Sequence, residues 1–242
     1  MTQITIHQPD FLPWLGFFNK VSLCDILVLG DHVQYEDGGF RNRNKIKTAN
    51  GPQWLTVPVS NKFGTPINKV PISYAERNGR LWSDVHLKTL ERSYSRSKYF
   101  DSVYSIIEGA YQKKYEFLAD LNVELLKRVL EFLNLNIPIK KTSELNLNAS
   151  KTESIVEICK TLKADSYVSG PGGKNYVDYP LIERSGITIL FPKYDHPTYT
   201  QQYMKLGFLS HMSIIDLLFN EGPSSLSIIK SGFTGFEWSL QF

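Results

Sequence analysis

Cysteine is nearly absent from this sequence: Cys24 and Cys159 are the only two in 242 residues. Both sit in helix-like apolar patterns, which points to a reducing compartment in preference to a disulfide framework, and two cysteines exclude a cysteine-rich zinc site. Both are expected to be buried and chemically idle. Long apolar runs are missing as well; no stretch approaches the roughly 18 residues needed to span a bilayer, so no membrane insertion is expected. A charged leader followed by an apolar core does not open the chain, and the expected location is the cytoplasm. Neither charge sign dominates: 27 Lys and Arg face 24 Asp and Glu, a net +3. That balance makes neither nucleic acid nor an anionic membrane an obligatory partner.

Familiar catalytic signatures are also lacking. There is no GxSxG elbow, no kinase signature, no reactive Cys–His pairing and no hexapeptide repeat. HExxH and compact His/Asp ligand spacing are missing, so no metal ligands are assigned, and no motif calls for a resident cofactor. The glycine-bearing "SGPGGKNYVD" is neither GxxxxGK[ST] nor GxGxxG, which licenses no named nucleotide fold.

What remains is an ordinary globular composition, 42% hydrophobic and 21% charged. Its length suits one large α/β domain, or a core domain with a sizeable insertion. "QITIH" (3–7) reads as a strand, "WLGFFNKVSLCD" (14–25) as a helix and "DILVLGD" (25–31) as a strand covered on both faces. Together they make a right-handed βαβ unit. "QWLTVPVS" (53–60) alternates like an edge strand, with "INKVPIS" (67–73) as its expected partner. From Arg77 to Leu135 the apolar period is helical throughout, which suggests a helical insertion capping a site made by the sheet's loops. A strand near 137–142 leads to a helix opened by a Ser150–Glu153 capping box. "DSYVSG" and "ITILFPKY" then read as strands around the short helix "YPLIERSG", and two short helices finish the chain. The expected fold is therefore a Rossmann-like α/β protein with a mainly parallel sheet, in which 1–76 and 136–242 are halves of the core and 77–135 is the insertion.

Candidate residues gather where strands end, the side on which open α/β sheets bind ligands. His7 ends the first strand and offers an imidazole as base; Asp31, with His32, ends the second and is expected to lie near it. Gln8 flanks His7. Trp14, between prolines, offers either packing or a stacking platform, and Lys20, a turn past Gly16, either solvation or a phosphate contact. "RNRNKIK" supplies Arg41, Arg43 and Lys47 with Asn44 interleaved. If extended, it places Arg41, Arg43 and Lys45 on one face and Asn42, Asn44 and Ile46 on the other. Arginine forks suit phosphate, and asparagine amides suit sugar hydroxyls or base edges. In the loop after "DSYV", Gly170, Gly172 and Gly173 allow close backbone approach, while Ser169, Lys174 and Tyr176 add donors. Tyr199 follows the last predicted strand with His196 and Gln201. Asp216 and Asn220, at i and i+4, share a helix face that reads as bracing.

Four blocks, "HQPDFLPWLGFFNK", "NRNKIK" with "WLTVPV", "SGPGGKNYVD" and "SIIDLLFNEG", in that order, resemble the WbqC-like protein family over Ile6 to Gly222. The resemblance implies a setting among bacterial O-antigen and other surface-polysaccharide genes, and some such proteins are labelled glycine transferases. Set beside the residue chemistry, it gives an expected transferase joining an activated acyl or aminoacyl group to the amine of a nucleotide-linked amino sugar. In that scheme His7 is the base and Asp31 its catalytic companion. Arg41, Arg43 and Lys174 hold phosphate, and Gln8 and Asn44 orient the sugar. A nucleotidyl- or glycosyltransferase is the alternative, although the second histidine of HxGH is missing, and a non-catalytic nucleotide-sugar binding protein is another. The expected partner is that small-molecule ligand rather than nucleic acid, with an aminoacyl-tRNA donor and a homo-oligomer left open.

Overall fold

A computed structural model describes residues 1–238 of the chain. The β-branched opening forms β1 (Gln3–His7), which leads through α1 (Leu15–Ser22) to β2 (Ile26–Leu29). Next comes a hairpin of β3 (Arg43–Thr48) and β4 (Gly51–Thr56). Three consecutive helices follow, α2 (Trp82–Tyr94), α3 (Phe100–Tyr111) and α4 (Leu118–Phe132). The chain then returns to the sheet through β5 (Ile139–Lys141), α5 (Lys151–Thr161), β6 (Ser166–Val168), α6 (Tyr179–Arg184) and β7 (Thr188–Tyr194). It finishes with α7 (Ile214–Glu221), α8 (Ser225–Ser231) and β8 (Phe233–Trp238).

Six strands form one sheet in the order β5-β2-β1-β6-β7-β8, and the hairpin stands apart. The pairings are parallel except β7 with β8. The Rossmann-like, mainly parallel expectation therefore holds, with an antiparallel edge that sequence reading ended too early to include. Alternation along the strands sorts their side chains into two cores. Leu27 and Leu29 join α1, α2–α4, α7 and α8 on one face. Ile4 and Val28 join Ile155, Ile158 and Cys159 of α5 and Ile182 of α6 on the other. Strand order departs from β1 in opposite directions, to β2 on one side and β6 on the other, so a crevice opens beyond the carboxyl ends of those strands.

Three local expectations change. The partner of β4 is β3, in register from Arg43 opposite Thr56 to Thr48 opposite Gly51. Residues 67–69 form a 3-10 turn instead, and only a single bridge joins Val59 to Ile72. Gly51, at φ +98°, makes the two-residue connection of this hairpin possible. The helix starting at Lys151 forms, but the Ser150 side chain makes no capping hydrogen bond. Both cysteines are free, Cys159 buried and Cys24 partly exposed, and burial pushes both thiols up to about 12. Among the described residues no helix is long and apolar enough to cross a membrane.

The helical insertion does not roof the crevice. Its apolar faces are spent on the core they share with α1 and α7. One residue still reaches the site from behind. The buried Asn122 of α4 donates from Nδ2 to Pro9 O and to Arg41 O, each at 2.7 Å, and so ties the loop after β1 to the segment before β3. Removing a buried amide that serves two carbonyls leaves both unsatisfied, at roughly 1–3 kcal/mol. Asn122→Ala should accordingly lower the melting temperature by about 2–12 °C for a domain of this size. Calorimetry checks this, and an unchanged transition would mean the tie carries no stability.

Candidate functional site

Where β1 ends, the backbone runs straight into Gln8, Pro9 and Asp10, and α1 doubles back beneath it. The result is a cleft of about 420 Å3 at the switch point. Its walls come from the ends of β1 and β2, the start of α5 and the glycine loop after β6, with His7, Asp10, Lys20, Arg41, Lys151 and Tyr176 among the lining residues. Ile155, Ile158 and Tyr167 add an apolar side, and Gly170, Gly172 and Gly173 expose backbone.

A connected set of polar groups occupies the floor. Lys20, 6% exposed, places Nζ 3.3 Å from Ile6 O and 3.2 Å from His7 Nδ1. An ammonium has no lone pair, so it donates to Nδ1 and the ring proton resides on Nε2. That Nε2–H donates to Asp10 Oδ2 at 3.1 Å, and Asp10 Oδ1 lies 3.6 Å from the Arg41 guanidinium. Phe17 of α1 packs edge-on to the imidazole with centroids 4.8 Å apart, fixing its plane. Burial, and then the Lys20 charge, hold His7 below the ordinary histidine range, while Asp10 pulls the other way. Burial pushes Lys20 down to about 8. Arg41 Nε and Gln8 Oε1, on two residues that line the cleft, are buried without a hydrogen-bond partner. Gly39 gives the Arg41 guanidinium its space, since a Cβ there would stand 2.7 Å from Nη1. Gly173 is likewise required by packing: its Cβ would fall 2.1 Å from Ser169 Oγ.

Of the residues expected at a site, His7, Gln8, Lys20, Arg41, Gly170, Gly172, Gly173 and Tyr176 come together in this cleft. Ser169 is buried beneath the glycine loop and donates to Gly170 O. The others lie elsewhere, each for a visible reason. Strands β1 and β2 do neighbour each other, but Asp31 turns toward the chain after β5 and accepts from Thr142 Oγ1, Ser143 N and Ser143 Oγ. Its carboxylate is used up there, so it is not the partner of His7. His32 remains at the rim, with Nδ1 2.6 Å from Thr142 Oγ1. Trp14 folds over Gly16, whose Cβ would stand 2.3 Å from the indole, and stacks on His211 at 4.9 Å. It packs instead of facing the cleft.

The extended reading of "RNRNKIK" holds for β3. Arg43 and Lys45 lie over Trp54 at 4.5 and 4.9 Å, while Asn44 and Ile46 are buried. Arg41 precedes the strand and turns away from that face. Asn44 donates to Leu12 O at 2.7 Å and so braces a loop. Lys47 is fully buried, donating to Gln201 Oε1 at 3.1 Å and Gly207 O at 2.5 Å. The Tyr199 and Tyr94 hydroxyls and the Gln201 amide all donate to the buried Asp216 of α7. Burial raises the Asp216 carboxyl, and these donors oppose the rise. Lys174 pairs with Glu237 of β8 and lies over Phe191, outside the cleft.

Sequence reading missed Asp10, Lys151, Ser154 and Tyr167 at this cleft. A signal for Asp10 existed, since it stands three residues past His7 in "HQPD". Lys151 and Ser154 follow from topology, because a helix after a parallel strand begins on the ligand side of the sheet. Among the described residues no three His, Cys, Asp or Glu side chains converge as a metal site.

The cleft also sits inside a recognised sequence family. The model of the WbqC-like protein family matches residues 8–228. A protein of Mycobacterium tuberculosis, described as uncharacterized, is 32% identical over 234 residues, covering 95% of this chain and 98% of its own. No solved structure matches.

The hydrogen-bonded floor fixes how His7 must titrate. A ring held below its ordinary range binds fewer protons folded than unfolded, so its share of stability is lost as pH falls below about 6.5. By NMR, Lys20→Met should raise the His7 midpoint, because a neighbouring positive charge is gone. Asp10→Asn should lower it further, because the carboxylate is what favours imidazolium. Midpoints that stay put in both variants would refute the contacts drawn here.

Proposed function

Since the chain belongs to the WbqC-like protein family, we propose that it is a transferase working in bacterial surface-polysaccharide assembly. It takes a nucleotide-linked amino sugar into the cleft between β1 and β6 and joins an activated acyl or aminoacyl group to the sugar amine. The observation that carries this reading is the pairing of two chemistries in one crevice: a His–Lys–Asp proton-handling floor, and a wall of cations and glycine backbone suited to phosphate.

Arg41 is the phosphate fork, and Lys151, at the start of α5, lines the same cleft. The first turn of that helix borders the cleft, and a helix N-terminus favours anions. Gly172, with open space where a Cβ would stand, lets a diphosphate approach the backbone. Gln8 lines the cleft, and its side-chain amide is of the type that pairs with a sugar hydroxyl or amine. Ile155, Ile158 and Tyr167 give the flat face of a base an apolar surface. Uptake of the amine's proton falls to the Lys20–His7–Asp10 set, since transfer to nitrogen requires a base at the reacting atom.

Calorimetric titration with UDP-, dTDP- and GDP-linked amino sugars, followed by product mass analysis, tests the reading. An added acyl or aminoacyl mass supports it; release of free nucleotide or pyrophosphate favours a glycosyl- or nucleotidyltransferase; binding without product favours a carrier. Arg41→Ala should weaken nucleotide-sugar binding about 10- to 150-fold, the roughly 1.5–3 kcal/mol of a hydrogen bond to a charged group. Arg43→Ala, on the Trp54 face, should leave it within about twofold, as surface changes away from a site usually do. Equal losses in both variants would move the ligand off this cleft.

A further inference from the structure

A lysine with 6% of its surface exposed ordinarily faces a carboxylate, and Lys20 does not. Among the described residues no acidic oxygen lies within ion-pair distance of its Nζ. Its partners are uncharged: Ile6 O at 3.3 Å and His7 Nδ1 at 3.2 Å. Two N–H bonds to these acceptors and the bond to Cε fix three of the four tetrahedral directions at nitrogen. One direction remains, and Lys20 lines the cleft with Nζ 3.9 Å from where a Cβ on Gly170 would stand. His7 offers no such direction. Its Nδ1 already accepts from Lys20 and its Nε2 already donates to Asp10. The amine, rather than the imidazole, presents a usable position to a ligand.

We infer that Lys20 takes up and returns the proton during the transfer reaction, with His7 and Asp10 as positioning residues. This step rests on the transferase reading above. The sugar amine's lone pair attacks the carbonyl carbon of an activated acyl or aminoacyl ester or thioester, and an N–C bond forms. The proton released from the attacking nitrogen passes to the neutral Nζ. The bond from carbon to the leaving group then breaks, the leaving group keeps the electron pair, and the Lys20 ammonium protonates it. Lys20 ends neutral, as it began, with no oxidant or cofactor consumed.

The electrostatics agree with the geometry. Burial brings the amine down to about 8. At pH 7 such a group is about one-tenth neutral, against well under about one-thousandth for an ordinary lysine. The acceptors also keep the nitrogen in place in either state, since a neutral amine still donates two hydrogen bonds and keeps its lone pair for the remaining direction.

NMR titration of protein carrying 13C-labelled lysine, with Lys20→Arg assigning the signal, reads the group directly. Turnover of UDP-linked amino sugars with an acyl thioester is measured on the same proteins. The expected results are a Lys20 midpoint near pH 8 and a Lys20→Arg variant that binds nucleotide sugar within about threefold of wild type. That variant should turn over at least about 100-fold more slowly, because guanidinium cannot give up its proton. His7→Asn, which keeps an acceptor near Lys20, should retain more turnover than His7→Ala. A Lys20 midpoint near 10.5, or Lys20→Arg turning over like wild type, overturns the inference while leaving the transferase reading in place. Wild-type protein that binds nucleotide sugars but never forms an acylated product sinks the transferase reading first, and the proton step with it.

Discussion

The hydrogen bond from Lys20 to His7 ties the end of the central strand to the helix that follows it, and the cleft is arranged around that bond. Lys20 lies on α1 and His7 closes β1, so the bond spans the first strand–helix connection from inside. The ammonium must donate, which sends the ring proton to Asp10, and Asp10 in turn stands beside Arg41. Four side chains from three segments thus have their orientation set by one amine without a carboxylate. Stability alone gives little reason for this arrangement, since burying an ammonium without an ion-pair partner is costly. The cost is understandable at a site that needs an amine close to neutral pH.

The protein contains a second buried lysine, and the contrast is informative. Lys47 is wholly enclosed, but Gln201 links it to Asp216, whose two oxygens also take hydroxyl protons from Tyr94 and Tyr199. Opposite charges are present and polar atoms are matched, so that cluster fastens β3 and the chain after β7 to α7. Near Lys20, by comparison, Gln8 Oε1 and Arg41 Nε are left without partners. The Asp216 cluster is matched internally and the set around the cleft is not, though the two contain similar residue types.

Much of this was legible in the sequence. Period and turn chemistry located β1, α1, β2, the long helices and the parallel sheet, and the strand-end rule put His7, Arg41 and the glycine loop on one side, with Lys20 left open between solvation and a phosphate contact. The four sequence blocks had already pointed to the family whose model spans residues 8–228. What failed depended on tertiary choices that carry no local signal. Asp31 and Asp10 both follow strands; only the fold shows that Thr142 and Ser143 claim one and His7 the other. Arg41 and Arg43 share a strand parity, yet β3 begins at Arg43, which leaves Arg41 free to turn into the cleft. Trp14 between prolines reads as well for stacking a ligand as for packing, until Gly16 is seen beneath its ring.

The central claim is that the crevice between β1 and β6 holds the phosphates of a nucleotide. A crystal structure of the protein with UDP tests it most directly. The account predicts the diphosphate between Arg41 and the Gly170–Gly173 loop, within reach of the first turn of α5, with the base against Ile155 and Ile158. A nucleotide bound instead at the Arg43–Lys45–Trp54 face, with the cleft vacant, would contradict it.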